Sequence, residues 1–122
     1  MQIAVRRREL KVDSYEFGEI IIDGKSYTSD VVIYPDRVDD KWWRKEGHKL
    51  AAEDVKEIIG AKPEVVIVGT GYSGFLEVLS RTKHVFETAG IQLVVANTRK
   101  ACQKYNELSK KKRVIAALHL TC

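Results

Sequence analysis

Val65-Val66-Ile67-Val68-Gly69-Thr70-Gly71-Tyr72-Ser73-Gly74 is the stretch on which the fold turns. Four consecutive apolar residues, three of them valine, leave no polar face for solvent, so Val65 to Val68 predicts a strand covered on both sides. The glycines that follow predict a turn delivered to the carboxyl edge of that strand, which is where open α/β sheets bind their ligands.

Working outward, the same kind of buried run recurs at Ile91 to Ala96 and at Val114 to Leu118. Between the runs lie helical periods. Ala51, Val55, Ile58 and Ile59 share one helical face, with Gly60 and Pro63 as the stop. Phe75, Leu76 and Leu79 begin a second stripe that Ser80 to His84 interrupts, which predicts a break near Ser80, with Ser80 capping a segment that ends at Gly90. Thr98 is the expected cap of a third helix, with Ala101, Tyr105 and Leu108 inward. Upstream, Tyr15 to Ile22 and Lys25 to Tyr34 are rich in β-branched and aromatic residues around Asp23-Gly24, a two-residue turn, and predict a hairpin. Pro35-Asp36 closes its second strand, and the stretch to Lys49 has neither period and reads as a long surface connection. The expected order is ββ-α-β-α-β-α-β: an α/β domain in three layers, with a mixed sheet sandwiched between helices.

A chain of 122 residues, 44% hydrophobic and 31% charged, has material for one core and one domain. No apolar run approaches the roughly 20 residues that cross a bilayer, and Arg6-Arg7-Arg8 precedes no apolar segment, so neither export nor membrane insertion is expected. Cys102 and Cys122 have no metal or redox spacing, which fits a reducing cytoplasm. The net charge of +4 is unevenly spread: Arg99, Lys100, Lys104, Lys110, Lys111, Lys112 and Arg113 face only Glu107 in their stretch. A solvated helix end is the expectation there, with an acidic partner or weak RNA binding through Lys110–Arg113 as the alternative.

Gly69-Thr70-Gly71-Tyr72-Ser73-Gly74 reads literally as GxGxxG after a strand. A dinucleotide would then rest its pyrophosphate on the loop amides and a helix start, with Asn97-Thr98-Arg99 ending the next strand, where Arg99 would suit a 2′-phosphate. Against this stand the short remaining chain, the break at Ser80 and bulky Tyr72, so no cofactor is expected; a smaller anion at the same amides is the alternative. Trp42-Trp43 with Arg44, Lys45 and His48 resembles a stacking surface, but its charges nearly cancel. One indole is expected to anchor the connection, and the other to cap a pocket or meet a partner. His48, His84 and His119 lack the spacing of a helical metal pair, so no metal is expected. Glu53 and Asp54 at a helix start complement its dipole.

From Phe17 to Cys122 the chain resembles the family called domain of unknown function 498, which includes the adipogenesis-associated Mth-domain protein and the mitochondrial complex I assembly factor 3. The resemblance rests on Val68-Gly69-Thr70-Gly71, Gly90-Ile91, Tyr105-Asn106-Glu107-Leu108, Arg113-Val114 and His119-Leu120-Thr121-Cys122. It implies a mixed sheet in three layers and, in some members, a non-enzymatic role in assembling a larger complex. It assigns no catalytic residue, and its loop keeps the first two glycines but not Gly74. The complex I role does not carry over, because no mitochondrial targeting segment is evident. The expectation is therefore a non-enzymatic interaction or assembly module, the alternative being a small anionic-ligand or nucleotide-binding protein or enzyme that uses the Gly69–Gly74 loop. Its partner is a protein, a homo-oligomer being one form, or a small ligand, met through Gly69, Thr70, Gly71, Tyr72, Ser73, Asn97, Thr98, Trp42 and Trp43.

Overall fold

The computed structural model describes residues 10–122. Val65–Gly69 (β7) lies inside a five-stranded sheet, flanked by the parallel strands Val114–Leu118 (β10) and Gln92–Ala96 (β9). Val31–Ile33 (β4) pairs antiparallel with β10 and Val38–Asp39 (β5) with β4, giving the mixed order β5-β4-β10-β7-β9. Alternate residues of β7 enter separate cores, Val65 and Ile67 on one face and Val66 and Val68 on the other, as a fully apolar run requires.

Ser80–Thr88 (α2) connects β7 to β9 and buries Phe86 against Val66 and Val68, whereas Thr98–Leu108 (α3) connects β9 to β10 and buries Ala101 and Tyr105 against Val65 and Ile67. Two crossovers of one hand, running in opposite directions along a sheet, put their helices on opposite faces. On the α2 face a 3₁₀ turn, Ala52–Val55, leads into the short helix Lys56–Gly60 (α1), with Val55 and Ile58 buried. The expected first helix is therefore 3₁₀ in its first half, and the left-handed residue after it is Lys62 (φ 54°), not Gly60.

The hairpin departs furthest from expectation. Its first half is itself two strands, Val12–Glu16 (β1) and Glu19–Ile22 (β2), folded about Phe17-Gly18, while Lys25–Tyr27 (β3) completes a separate three-stranded antiparallel sheet. The Asp23-Gly24 turn stands where expected, with φ of 49° and 80°. Between β3 and β4 the chain breaks and passes into the main sheet, so the two halves of one apparent strand serve different sheets. The small sheet packs beside α3, and that outer layer is thus part helix and part sheet.

Three further expectations shift. Phe75 to Leu79 forms no helix: Glu77–Val78 (β8) pairs in parallel with Lys49–Leu50 (β6), and α2 is capped by Leu79, with Ser80 its first residue. Gly90 (φ 74°) does close α2 in the left-handed region. The run to Ala96 is an edge strand with Val95 44% exposed, apolar on both faces yet covered on neither side completely. Arg6, Arg7 and Arg8 lie outside the described residues.

Candidate functional site

The glycine turn sits at the carboxyl rim, but it opens no helix: Gly74 is followed by an extended segment, and α2 begins only at Ser80. The helix dipole that a pyrophosphate would need is therefore absent from this turn. The amides of Thr70, Gly71, Tyr72 and Phe75 are committed as well. Gly71 N donates to Thr98 Oγ1 (2.8 Å), Tyr72 N to Thr121 O (2.7 Å) and Phe75 N to Cys122 O (3.0 Å), while Thr70 N donates to Ala96 O (2.9 Å). The backbone of Thr121 and Cys122 lies directly against Gly71, Tyr72 and Phe75. A Cβ on Gly71, whose φ is 108°, would lie 2.5 Å from the Cys122 carbonyl carbon and oxygen, so this glycine is needed for close approach by the chain itself.

Asn97 and Thr98 exchange their expected roles. Asn97 is the cap of α3, its side-chain oxygen accepting from Lys100 N at 2.9 Å. Thr98, fully buried, accepts from Gly71 N and donates to His119 O (2.6 Å), tying the loop to the end of β10. Thr70 is buried and donates to Ala96 O (3.1 Å), whereas Ser73 is exposed. Arg99 lies over Tyr15 and Tyr72, at 5.7 and 5.9 Å, and beside Glu16 at 3.8 Å.

Beyond the loop, the fold assembles a polar clamp from residues remote in sequence. Asp30 sits in the break between β3 and β4, Arg44 in the tryptophan segment and His119 at the end of β10. Arg44 Nη1 and His119 Nδ1 both reach Asp30 Oδ2 at 2.8 Å, and Leu120 N donates to Oδ1 at 2.8 Å. Nδ1 therefore carries the proton that Asp30 accepts, and the 3.3 Å approach of Arg44 Nη2 is a contact between two donors facing one carboxylate. Arg44 Nη2 also donates to Gly47 O at 2.9 Å. Burial opposes ionisation of Asp30, but hydrogen bonds from His119, the Leu120 amide and Arg44 outweigh it and hold the carboxyl below its ordinary value. His119 Nε2 and Arg44 Nε are buried without a hydrogen-bond partner, and the exposed His48 ring stands edge-on to His119 at 5.8 Å. Single-residue reading had no route to this clamp, since its members lack any common spacing; the sole local hint was a carboxylate inside an apparent strand.

What the rim offers to solvent is aromatic. Phe17, Tyr72 and Phe75 are 55%, 51% and 63% exposed; Phe17 and Tyr72 meet edge to face at 5.7 Å, and Phe75 meets His48 at 6.4 Å. Tyr15, beneath Tyr72, donates its hydroxyl to Leu120 O (2.7 Å), and burial pushes its pKa up to about 12.

The tryptophans divide as expected. Trp42 is half-buried, packs against the α2-side core, places Nε1 3.4 Å from Asp54 O and carries Arg44 over its ring at 4.7 Å; Trp43 is 75% exposed. Both line a cleft of about 370 Å³ with Tyr34, Asp54 and Glu57. No residue of the glycine turn lines that cleft, so turn and tryptophans form two surfaces, bridged by the Asp30–Arg44–His119 clamp and by His48 against Phe75.

A glycine turn at the sheet's carboxyl rim, held by Thr98, Thr121 and Cys122, and a mixed sheet in three layers define the class. Over residues 12–119 the chain matches the family described as protein of unknown function (DUF498/DUF598), and it belongs to that family. It is similar to a conserved hypothetical protein from Pyrococcus horikoshii, with 32% identity and a TM-score of 0.80 over 92% of this chain and 99% of that one. It is likewise similar to the protein MT938, with 31% identity and a TM-score of 0.78 over 93% of this chain and all (100%) of that one. A Mth938-like domain from Bordetella pertussis, 18% identical, shares the fold with a TM-score of 0.72 over 98% of this chain and 92% of that one. These relatives carry no assigned activity. Among the described residues no helix is long and apolar enough to cross a membrane.

Proposed function

We propose that the protein is a non-enzymatic interaction module whose contact surface is the aromatic rim of Phe17, Tyr72 and Phe75. One observation carries the reading: the amides of Thr70, Gly71 and Tyr72 and the Asp30 carboxylate are engaged inside the chain, whereas three large aromatic side chains beside them stand more than half exposed. Exposed aromatics near a rigid backbone provide anchors of the kind that dominate protein interfaces. The free thiols, Cys102 buried and Cys122 half-buried, suit a reducing cytoplasmic setting.

The test is a chain with Phe17, Tyr72 and Phe75 all replaced by serine. Its melting temperature should stay within a few degrees of the parent, while proteins co-purifying from native extract, or self-association measured by sedimentation, should drop at least tenfold. Unchanged co-purification and unchanged self-association would sink the proposal.

A further inference from the structure

Around the tryptophan segment the chain twice builds the same receptor for a guanidinium group, and each time it fills the receptor itself. Arg37 lies over the Tyr34 ring at 4.1 Å and reaches Glu57 at 3.3 Å. Arg44 lies over the Trp42 ring at 4.7 Å and reaches Asp30 at 2.8 Å. Each arginine has one aromatic face and at least one carboxylate, Arg37 meeting Asp36 at 3.1 Å as well, a pairing that suits a planar, delocalised cation better than an ammonium.

Trp43 and Glu53 repeat the ingredients without an occupant. Both line the 370 Å³ cleft, Trp43 is 75% exposed, and neither has a cation, ring or hydrogen-bond partner among the described residues. Neither Arg37 nor Arg44 lines the cleft, so its interior is not filled by the cations already on Tyr34 and Trp42. Arg37 already takes Glu57, which leaves Asp39, Glu53 and Asp54 around the cleft with Lys41 and Lys56, three carboxylates against two ammonium groups. One carboxylate is in excess at the cleft although the whole chain carries +4, so the local balance suits a single added cation. A cavity of this size stands near the lower end of the roughly 300–1,000 Å³ typical of ligand sites, room for a side chain rather than a nucleotide.

We propose that this cleft receives an arginine side chain from a basic segment of a partner protein, with Trp43 stacking on the guanidinium and Glu53 accepting its N–H groups. The proposal extends the interaction reading but rests on residues separate from the aromatic rim, so the two fail independently.

The experiment titrates the full chain with the peptide acetyl-Gly-Arg-Gly-amide while the two indole N–H signals are followed by NMR. The control is the same peptide with citrulline, which keeps the shape and removes the charge. A saturable shift of the Trp43 signal is expected, at least fivefold smaller with citrulline and at least fivefold weaker in Glu53→Gln; Trp43→Ala identifies the signal. The Phe17, Tyr72 and Phe75 serine variant should keep the full response. No saturable shift with the arginine peptide, an equal response to citrulline or to a lysine peptide, or an unchanged response in Glu53→Gln would each overturn the assignment.

Discussion

The glycine turn and the tryptophan segment both lie beside the sheet, and they use their polar groups in opposite ways. The turn advertises a ligand site in its sequence, yet the amides of Gly71, Tyr72 and Phe75 belong to Thr98, Thr121 and Cys122. The tryptophan segment advertises little, yet it borders an open acidic cleft with an unoccupied indole. A motif describes which groups the backbone can offer; whether they remain on offer depends on what the rest of the chain brings to them.

Glycine substitutions should separate the regions most sharply. Gly71→Ala forces a left-handed residue and a Cβ into the Cys122 backbone, and should cost about 4 kcal/mol, near the upper end for single changes. Gly47→Ala, in the tryptophan segment with nothing within 4 Å of its Cβ, should stay within about 0.5 kcal/mol. Equal costs in denaturant unfolding would erase the distinction between a turn packed against its own chain and an open one.

The clamp joining the two regions comes next. Asp30→Ala should cost about 3 kcal/mol, because it leaves the Arg44 guanidinium, 6% exposed, without its carboxylate. Its pH dependence has a definite sign. The folded carboxyl is held below the ordinary 3.8, so its stabilisation is present above that value and fades as pH falls through the lowered one. Asp30→Asn should therefore flatten the acid limb of stability against pH below about pH 4. An unaltered acid limb would remove Asp30 as the linking charge.

Thr98→Val should cost about 2 kcal/mol by stranding Gly71 N and His119 O in the core. The effect should appear as faster amide exchange at Gly71 and Tyr72, with the Trp43 indole signal unmoved. At high pH a smaller, shared effect is expected. Burial raises Tyr15, Tyr34 and Cys102 each to about 12, so stability should fall between roughly pH 9 and 12 as these groups ionise more readily in the unfolded chain. Tyr15→Phe should remove part of that alkaline loss.

Much of the architecture was legible because it depends on local pattern. Val65 to Val68 had to be interior, since no face of it tolerates water, and Asp23-Gly24 and Gly90 announce left-handed backbone. The errors share one cause: a continuous β-rich composition cannot reveal that Ser29-Asp30 passes the chain from one sheet to another, nor that β9 ends a sheet. Trp42 as anchor and Trp43 as the exposed indole were foreseen as a division of labour, although not which indole took which part.

By itself the sequence determined the covered strand, its glycine turn and the alternation of helices that buries it, because these follow from period, chirality and the need to hide apolar faces. Only the tertiary structure decided who binds to the turn and where a free receptor remains. Asp30 meets His119 across 89 positions and Gly71 meets Thr98 across 27, and hydrogen-bond partners so far apart leave no periodic trace in the chain that carries them.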